Sequence, residues 1–319
     1  VSARAAEWNP LHLPDLRGRS YLVTGANAGL GYFSCEQLVR GGAHVIMTGR
    51  NPHRLSAAKA AVLGRTADAP HRGTIETLLL DTSNLGSVRA AAATVRHRGR
   101  LHGLLLNAGM VHPPRHRQTT FDGNELVFAT NALGHFALAG ALLRTLAAAR
   151  GRMVWLGSMS TSLGRIDPVD PQLASGYSGW RAYVQSKIAT TALGLEADRR
   201  LRAERVPVAS VIAHPGYSVS GRTAGIQGVN EPSRLGRFVD NLQSPLTQSK
   251  EHGAWPLVRA LVDPDVVGGQ FWGPARVTSG PPRLAAPAKV TQDPAVAERY
   301  WVTCENATRL RWPFEAARR

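Results

Sequence analysis

The sequence predicts an α/β fold: a doubly wound parallel sheet with helices on both faces, organised as a single domain over residues 1–319. Three observations carry this. Through the first two-thirds of the chain, short β-rich apolar runs alternate with longer helical stretches, the pattern of repeated βαβ units. The flat apolar character of most of those runs suits strands buried on both faces. A glycine-rich turn joins the first run to the first helical stretch.

Strands are expected at Tyr21–Thr24, Val45–Thr48, Ile75–Leu80, Leu101–Leu106, Met153–Leu156 and Val208–Ala213, with a last one at Val267–Phe271. Helices fill the intervals at Tyr32–Arg40, Leu55–Leu63, Leu85–Arg98, Asn124–Ala149 and Gly179–Arg205. After Pro215 the periodicity weakens. Residues 217–250 read as a mobile segment covering a site, and residues 274–319 as a tail packing on the surface through Tyr300 and Trp301. Hydrophobic residues make up 43% of the chain and charged residues 19%, which is enough apolar material for a buried core.

The two cysteines, Cys35 and Cys304, lie far apart and outside any metal-ligand spacing, so neither a disulfide framework nor a metal site is expected. Residues 1–19 lack the apolar run of a signal peptide. No stretch reaches the roughly 18 uninterrupted apolar residues of a membrane span. A cytoplasmic protein with no membrane partner is the expectation. The net charge of +16 raises the question of nucleic acid. The arginines are scattered and aromatics are sparse, so a solvated basic surface is expected, with no specific nucleic-acid partner.

The turn after the first strand reads Thr24-Gly25-Ala26-Asn27-Ala28-Gly29-Leu30-Gly31. Glycines there let the backbone approach a diphosphate closely, and the following helix offers unpaired N–H groups and a positive dipole end. The spacing is GxxxGxG. An acidic residue at the end of the second strand would mark a ribose 2′-hydroxyl ligand. Here Thr48, Gly49 and Arg50 occupy that place, and an arginine can fork onto a 2′-phosphate that a carboxylate would repel. NADP is therefore the expected cofactor of this Rossmann-type fold.

Tyr183 and Lys187 lie four apart on a strongly helical pattern and so share a face. A phenol transfers protons poorly near neutral pH unless a neighbouring positive charge favours its phenolate. Ser158 follows the fifth strand, where a hydroxyl faces the crevice at the strand ends. Asn131 stands inside a predicted helix, an unfavourable place for asparagine that invites a functional reading. Tyr177 has Arg181 four residues on, but a guanidinium cannot relay a proton, so this pair reads as a decoy.

Taken in order, TGANAGLG, LDTSNL at 80–85, LNAG at 106–109, Asn131, Ser158, Tyr183-x-x-x-Lys187 and HPG at 214–216 resemble the short-chain dehydrogenase/reductase family over roughly residues 15–275. TGRNP at 48–52, NALGHFAL at 131–138 and WRAYVQSK at 180–187 resemble its retinol dehydrogenase and protochlorophyllide reductase-like branch. That resemblance implies hydride transfer between nicotinamide and a ketone, aldehyde or alcohol. It gives Tyr183 the acid/base role and Lys187 the tuning of Tyr183 and the ribose. Ser158 would orient the carbonyl, and Asn131 would anchor a relay water. Cofactor contacts are implied for Gly25, Asn27, Gly29, Leu30 and Gly31 of the turn and for Arg50 and Asn51. Asp81 and Thr82 would lie on the adenine side, with Asn107, Ala108 and Gly109 near the adenosine. Pro215 and Gly216 would turn the chain against the nicotinamide, and Ser220 would bond its carboxamide or the phosphate. The resemblance also implies a homo-oligomer. Leu106 and Gly157 depart from the family's usual asparagine and serine. Met159, Leu163, Trp180 and Phe238 hint at a hydrophobic substrate. The competing reading is a non-catalytic NADP(H)-binding sensor of the same fold.

Overall fold

The computed structural model describes residues 8–9, 12–162, 169–242 and 246–318. Strand β1 (Ser20–Val23) leads through the glycine turn into α1 (Gly29–Arg40). Then follow β2 (His44–Gly49), α2 (Pro52–Arg65), β3 (Thr74–Leu79), α3 (Leu85–His97) and β4 (Gly103–Leu106). Pro52 opens α2 where its missing N–H costs nothing, and Asn51 and Asn84 cap α2 and α3 through their side-chain oxygens. Beyond β4 come α4 (Leu126–Phe128), a π turn (Ala129–Leu133), α5 (Gly134–Ala141), α6 (Leu143–Ala147) and β5 (Arg152–Leu156). The long α7 (Gly179–Ala203), capped by Ser178, precedes β6 (Ala209–Ala213).

The main sheet has the order β10-β9-β6-β5-β4-β1-β2-β3, where β9 is Phe271–Pro274 and β10 is Pro282–Leu284. Every pairing is parallel except that of β10 with β9. The chain runs outward from β1 to β3, then returns to place β4 on the other side of β1. That reversal opens a crevice at the carboxyl ends of β1 and β4, the place where such sheets bind ligands.

Alternate residues of the central strands feed two cores. Leu22, Leu104, Leu106, Trp155 and Ile212 face one layer, and Tyr21, Val23, Leu105, Val154 and Val211 face the other. Burial on both faces is what the unbroken apolar runs of the sequence require.

Three expectations are corrected. The helix expected over Asn124–Ala149 runs from Leu126 to Ala147, but a π turn over Ala129–Leu133 holds Asn131, and Leu142 interrupts the helix. Gly134, just after the π turn, packs so tightly on Thr82 that a Cβ would lie 1.9 Å from the Thr82 carbonyl oxygen. The last parallel strand begins at Phe271, because Gly269 adopts φ +80° and the Asp198 carboxylate fills the space at Gly268. The tail does more than lie on the surface: α10 (Pro294–Thr308) buries Tyr300 and Trp301 in the core, and Trp301 meets Phe136 edge-on at 4.9 Å. The chain ends with α11 (Phe314–Ala317).

Residues 217–250 contain β7 (Ser218–Val219) paired in parallel with β8 (Gln248–Ser249), and between them α8 (Arg234–Leu242). Helix α9 (Lys250–Val262) then packs along α1. No helix among the described residues is long and apolar enough to cross a membrane.

Candidate functional site

The glycine turn is fixed from below by Thr24, which is fully buried. Its hydroxyl oxygen accepts from the backbone N–H groups of Asn107 and Ala108, both at 2.8 Å. Asn107 donates its side-chain amide to the Thr24 carbonyl at 2.7 Å, so it holds the turn's shape from the end of β4. Gly25 has φ +66°, and a Cβ there would lie 2.9 Å from Ala108 Cα. At Gly31 a Cβ would lie 2.5 Å from both the Gly25 carbonyl oxygen and the Asn107 amide. Helix α1 therefore packs directly on the turn. Ala28 precedes it with no side-chain cap and no acidic residue stands in its first turn, which leaves its N-terminus suited to a diphosphate.

The end of β2 sits beside this turn: a Cβ on Gly49 would lie 3.0 Å from Asn27 Oδ1. Arg50 follows, exposed. Asn51 uses its Oδ1 to accept from the Arg54 N–H at 3.0 Å and so serves first as a helix cap. Asp81, just past β3, accepts from the backbone and hydroxyl of Ser83 at 2.9 and 2.7 Å. Thr82 is buried against Gly134. Gly109 leaves room for Asn131, whose Oδ1 would lie 3.3 Å from a Cβ at that position.

Three groups converge above β5. Ser158 stands two residues beyond the strand, and its Oγ lies 3.4 Å from the Tyr183 hydroxyl and 2.8 Å from Ser160 Oγ. Lys187, one helical turn after Tyr183, is buried and donates to the Leu156 carbonyl at 2.9 Å. An ammonium has three donors, so this bond aims the charge and leaves capacity for a ligand. Tyr177 points elsewhere, donating to the Pro114 carbonyl at 3.2 Å.

Burial pushes Lys187 down to about 8. Its ordinary value near 10.4 belongs to the unfolded chain. Lys187 therefore adds stability above that value, and the contribution is lost as pH falls through about 8. From pH 7 to 9.5 the unfolding free energy of the protein should rise by about 2 kcal/mol relative to Lys187→Met, measured by urea titration. A flat or falling difference would contradict the burial of a charged lysine.

Asn131 is tied to its surroundings. Its side chain accepts from the Met110 N–H at 2.7 Å and donates to Ser186 Oγ at 2.9 Å. The wider π turn presents its carbonyl to Thr190 Oγ1 at 3.0 Å and to His135 Nδ1 at 3.1 Å. His135 lies within NALGHFAL, where the resemblance implies no role for it. Burial pushes it down to about 3, so it stays neutral. A carbonyl only accepts, which puts the ring proton on Nδ1 and leaves Nε2, 3.0 Å from Thr24 Oγ1, as an acceptor. His135 thus ties the π turn to the glycine turn.

On the far side, Gly216 has φ +64° and would clash as any other residue, its Cβ lying 2.3 Å from the Thr278 carbonyl oxygen. The Pro215 carbonyl accepts from Ser218 Oγ at 2.9 Å and from Gln248 Nε2 at 2.7 Å. Ser220 Oγ accepts from the Lys250 ammonium. Sequence reading missed Ser160, His135 and Lys250. Ser160 lies only two residues past Ser158, whereas Lys250 has no local signature at all. Of the four apolar residues that hinted at a hydrophobic substrate, Trp180 and Phe238 are exposed, Met159 lies in a 3₁₀ turn, and Leu163 is outside the described residues.

Residues 19–227 match the family model described as short chain dehydrogenase. A polyprenol dehydrogenase of Mus musculus is 35% identical over 83% of this chain and 78% of its own length. Retinol dehydrogenase 13 of Homo sapiens is 31% identical over 93% of this chain and 86% of its own. Among solved structures, an uncharacterised protein from Mycobacterium paratuberculosis superposes with a TM-score of 0.78 at 32% identity, covering 97% of this chain and all of its own.

Proposed function

We propose, on the premise that this chain belongs to the short-chain dehydrogenase family, that it is an NADP(H)-linked enzyme interconverting a hydrophobic ketone or aldehyde with its alcohol. The observation that carries this reading is the approach of Ser158 Oγ to the Tyr183 hydroxyl at 3.4 Å, with Lys187 held in the same crevice by the Leu156 carbonyl. When bound, the reduced cofactor supplies the hydride. Ser158 donates a hydrogen bond to the substrate oxygen and sets its position. Tyr183 gives that oxygen the proton that completes the alcohol, and takes it back in the oxidation. Lys187 favours the phenolate left behind and offers its remaining N–H groups to the ribose. Gly25, Gly29, Leu30 and Gly31 would cradle the diphosphate, and Arg50 would hold a 2′-phosphate beside Gly49.

The substrate class rests on separate support. Trp180 is exposed beside Tyr183, with ring centroids 6.2 Å apart, which gives the approach to the phenol an apolar wall. The relatives' names, polyprenol and retinol dehydrogenase, describe long hydrophobic alcohols. The test is a panel of ketones, aldehydes and alcohols of rising apolar size, followed by NADPH absorbance in both directions. Rates should climb with apolar size. Tight NADPH binding without turnover across the panel would instead favour the sensor reading.

A further inference from the structure

Lys250 opens α9 at the junction of that helix with α1 and the β7–β8 pair. Its stem runs past the glycine turn: Lys250 Cδ lies 3.7 Å from where a Cβ would stand on Gly29, the first residue of α1. The ammonium donates to Ser220 Oγ, and the backbone N–H of Lys250 donates to Thr223 Oγ1 at 2.9 Å. One turn on, Gly253 lets α9 approach Leu30, whose Cδ2 would lie 2.9 Å from a Cβ there. The backbone of Lys250 is thus fixed against the turn on which a diphosphate would rest.

We propose that Lys250 is a phosphate-binding residue for the cofactor, reaching the diphosphate from beside the glycine turn and bringing Ser220 with it. The inference rests on the reading of Gly25–Gly31 as a dinucleotide turn. Ser220 takes one of the three donors of the ammonium, and the others remain for an anion. The carboxylate of Asp240 acts on Lys250 from a distance while it accepts from the Gly221 N–H at 2.6 Å. The ammonium is half-buried, and desolvation pushes it down against the opposing pull of Asp240, so a diphosphate beside it would add to the negative charge that favours it. The helix end of α1 then contributes oriented N–H groups, and Lys250 a full positive charge beside them, to the same anion.

The experiment is a fluorescence titration of NADPH into the unaltered full chain, Lys250→Gln, Lys250→Met and Lys250→Arg, with thermal unfolding of each ligand-free protein as a fold control. Both neutral variants should bind about ten-fold or more weakly, the loss expected for a charge-assisted hydrogen bond. Lys250→Arg should recover most of that affinity, and the difference between unaltered and neutral proteins should shrink at high salt. Neutral variants that bind NADPH within about two-fold of the unaltered chain, at matched thermal stability, overturn the assignment of Lys250 alone. If the unaltered chain binds neither NADPH nor NADH, the dinucleotide reading itself fails, and this inference with it.

Discussion

Replacement of Tyr183 by phenylalanine is expected to lower kcat by about 10²–10⁴-fold, the range for loss of a positioned general acid, while the Kd for NADPH stays within about two-fold. The size follows from what the substitution removes. Phenylalanine keeps the ring beside Trp180 and against the core under α7. It loses only the hydroxyl, which is the group 3.4 Å from Ser158 Oγ. Tyr177 does not take its place, since its hydroxyl donates to the Pro114 carbonyl instead. Water is a poor substitute, because it has neither the fixed position nor the neighbouring ammonium of Lys187. Steady-state rates and NADPH fluorescence titration on the same preparation check both halves. Turnover within ten-fold of the unaltered enzyme would remove Tyr183 from the chemistry and leave only its packing role.

The central strands were legible because burial on both faces leaves a strong mark: a strand with one face in water alternates polar with apolar residues, and unbroken runs such as Leu104–Leu106 do not. The glycine turn was legible for a similar reason, since the contacts at Gly25 and Gly31 exclude every larger side chain. The π turn around Asn131 was not. A π turn and an α turn share local propensities, and here the difference lies in the contacts of Gly134 with Thr82 and of the Asn131 carbonyl with Thr190, partners far away in sequence. Lys250 was invisible for the same reason: its place beside Gly29 depends on α9 packing along α1, and nothing near it in the chain announces that contact. Tyr300 and Trp301 stood out as aromatic anchors, but only the fold shows that Trp301 reaches Phe136 in the core.

The proposed preference for NADPH would turn on one exposed guanidinium. Arg50 follows Gly49 at the end of β2, and neither residue carries a carboxylate to meet a ribose 2′-hydroxyl. Arg50→Ala is expected to weaken NADPH binding by about 10- to 100-fold, the loss of one or two charge-assisted hydrogen bonds. NADH affinity should change by less than about three-fold, because that cofactor has no phosphate for the arginine to grip. The gap between the two cofactors therefore narrows from the NADPH side. Arg50→Asp should narrow it further, since a carboxylate repels the phosphate and can accept from a free 2′-hydroxyl. Side-chain entropy and solvent screening lower the worth of an exposed ion pair. A doubly charged phosphate held between Arg50 and the turn at Asn27 would lose part of its water, which would restore much of that strength. Parallel titrations of both cofactors at fixed ionic strength measure the gap. Equal affinity for NADPH and NADH in the unaltered chain, or an Arg50→Ala variant that keeps the full preference, would move the discrimination away from the end of β2.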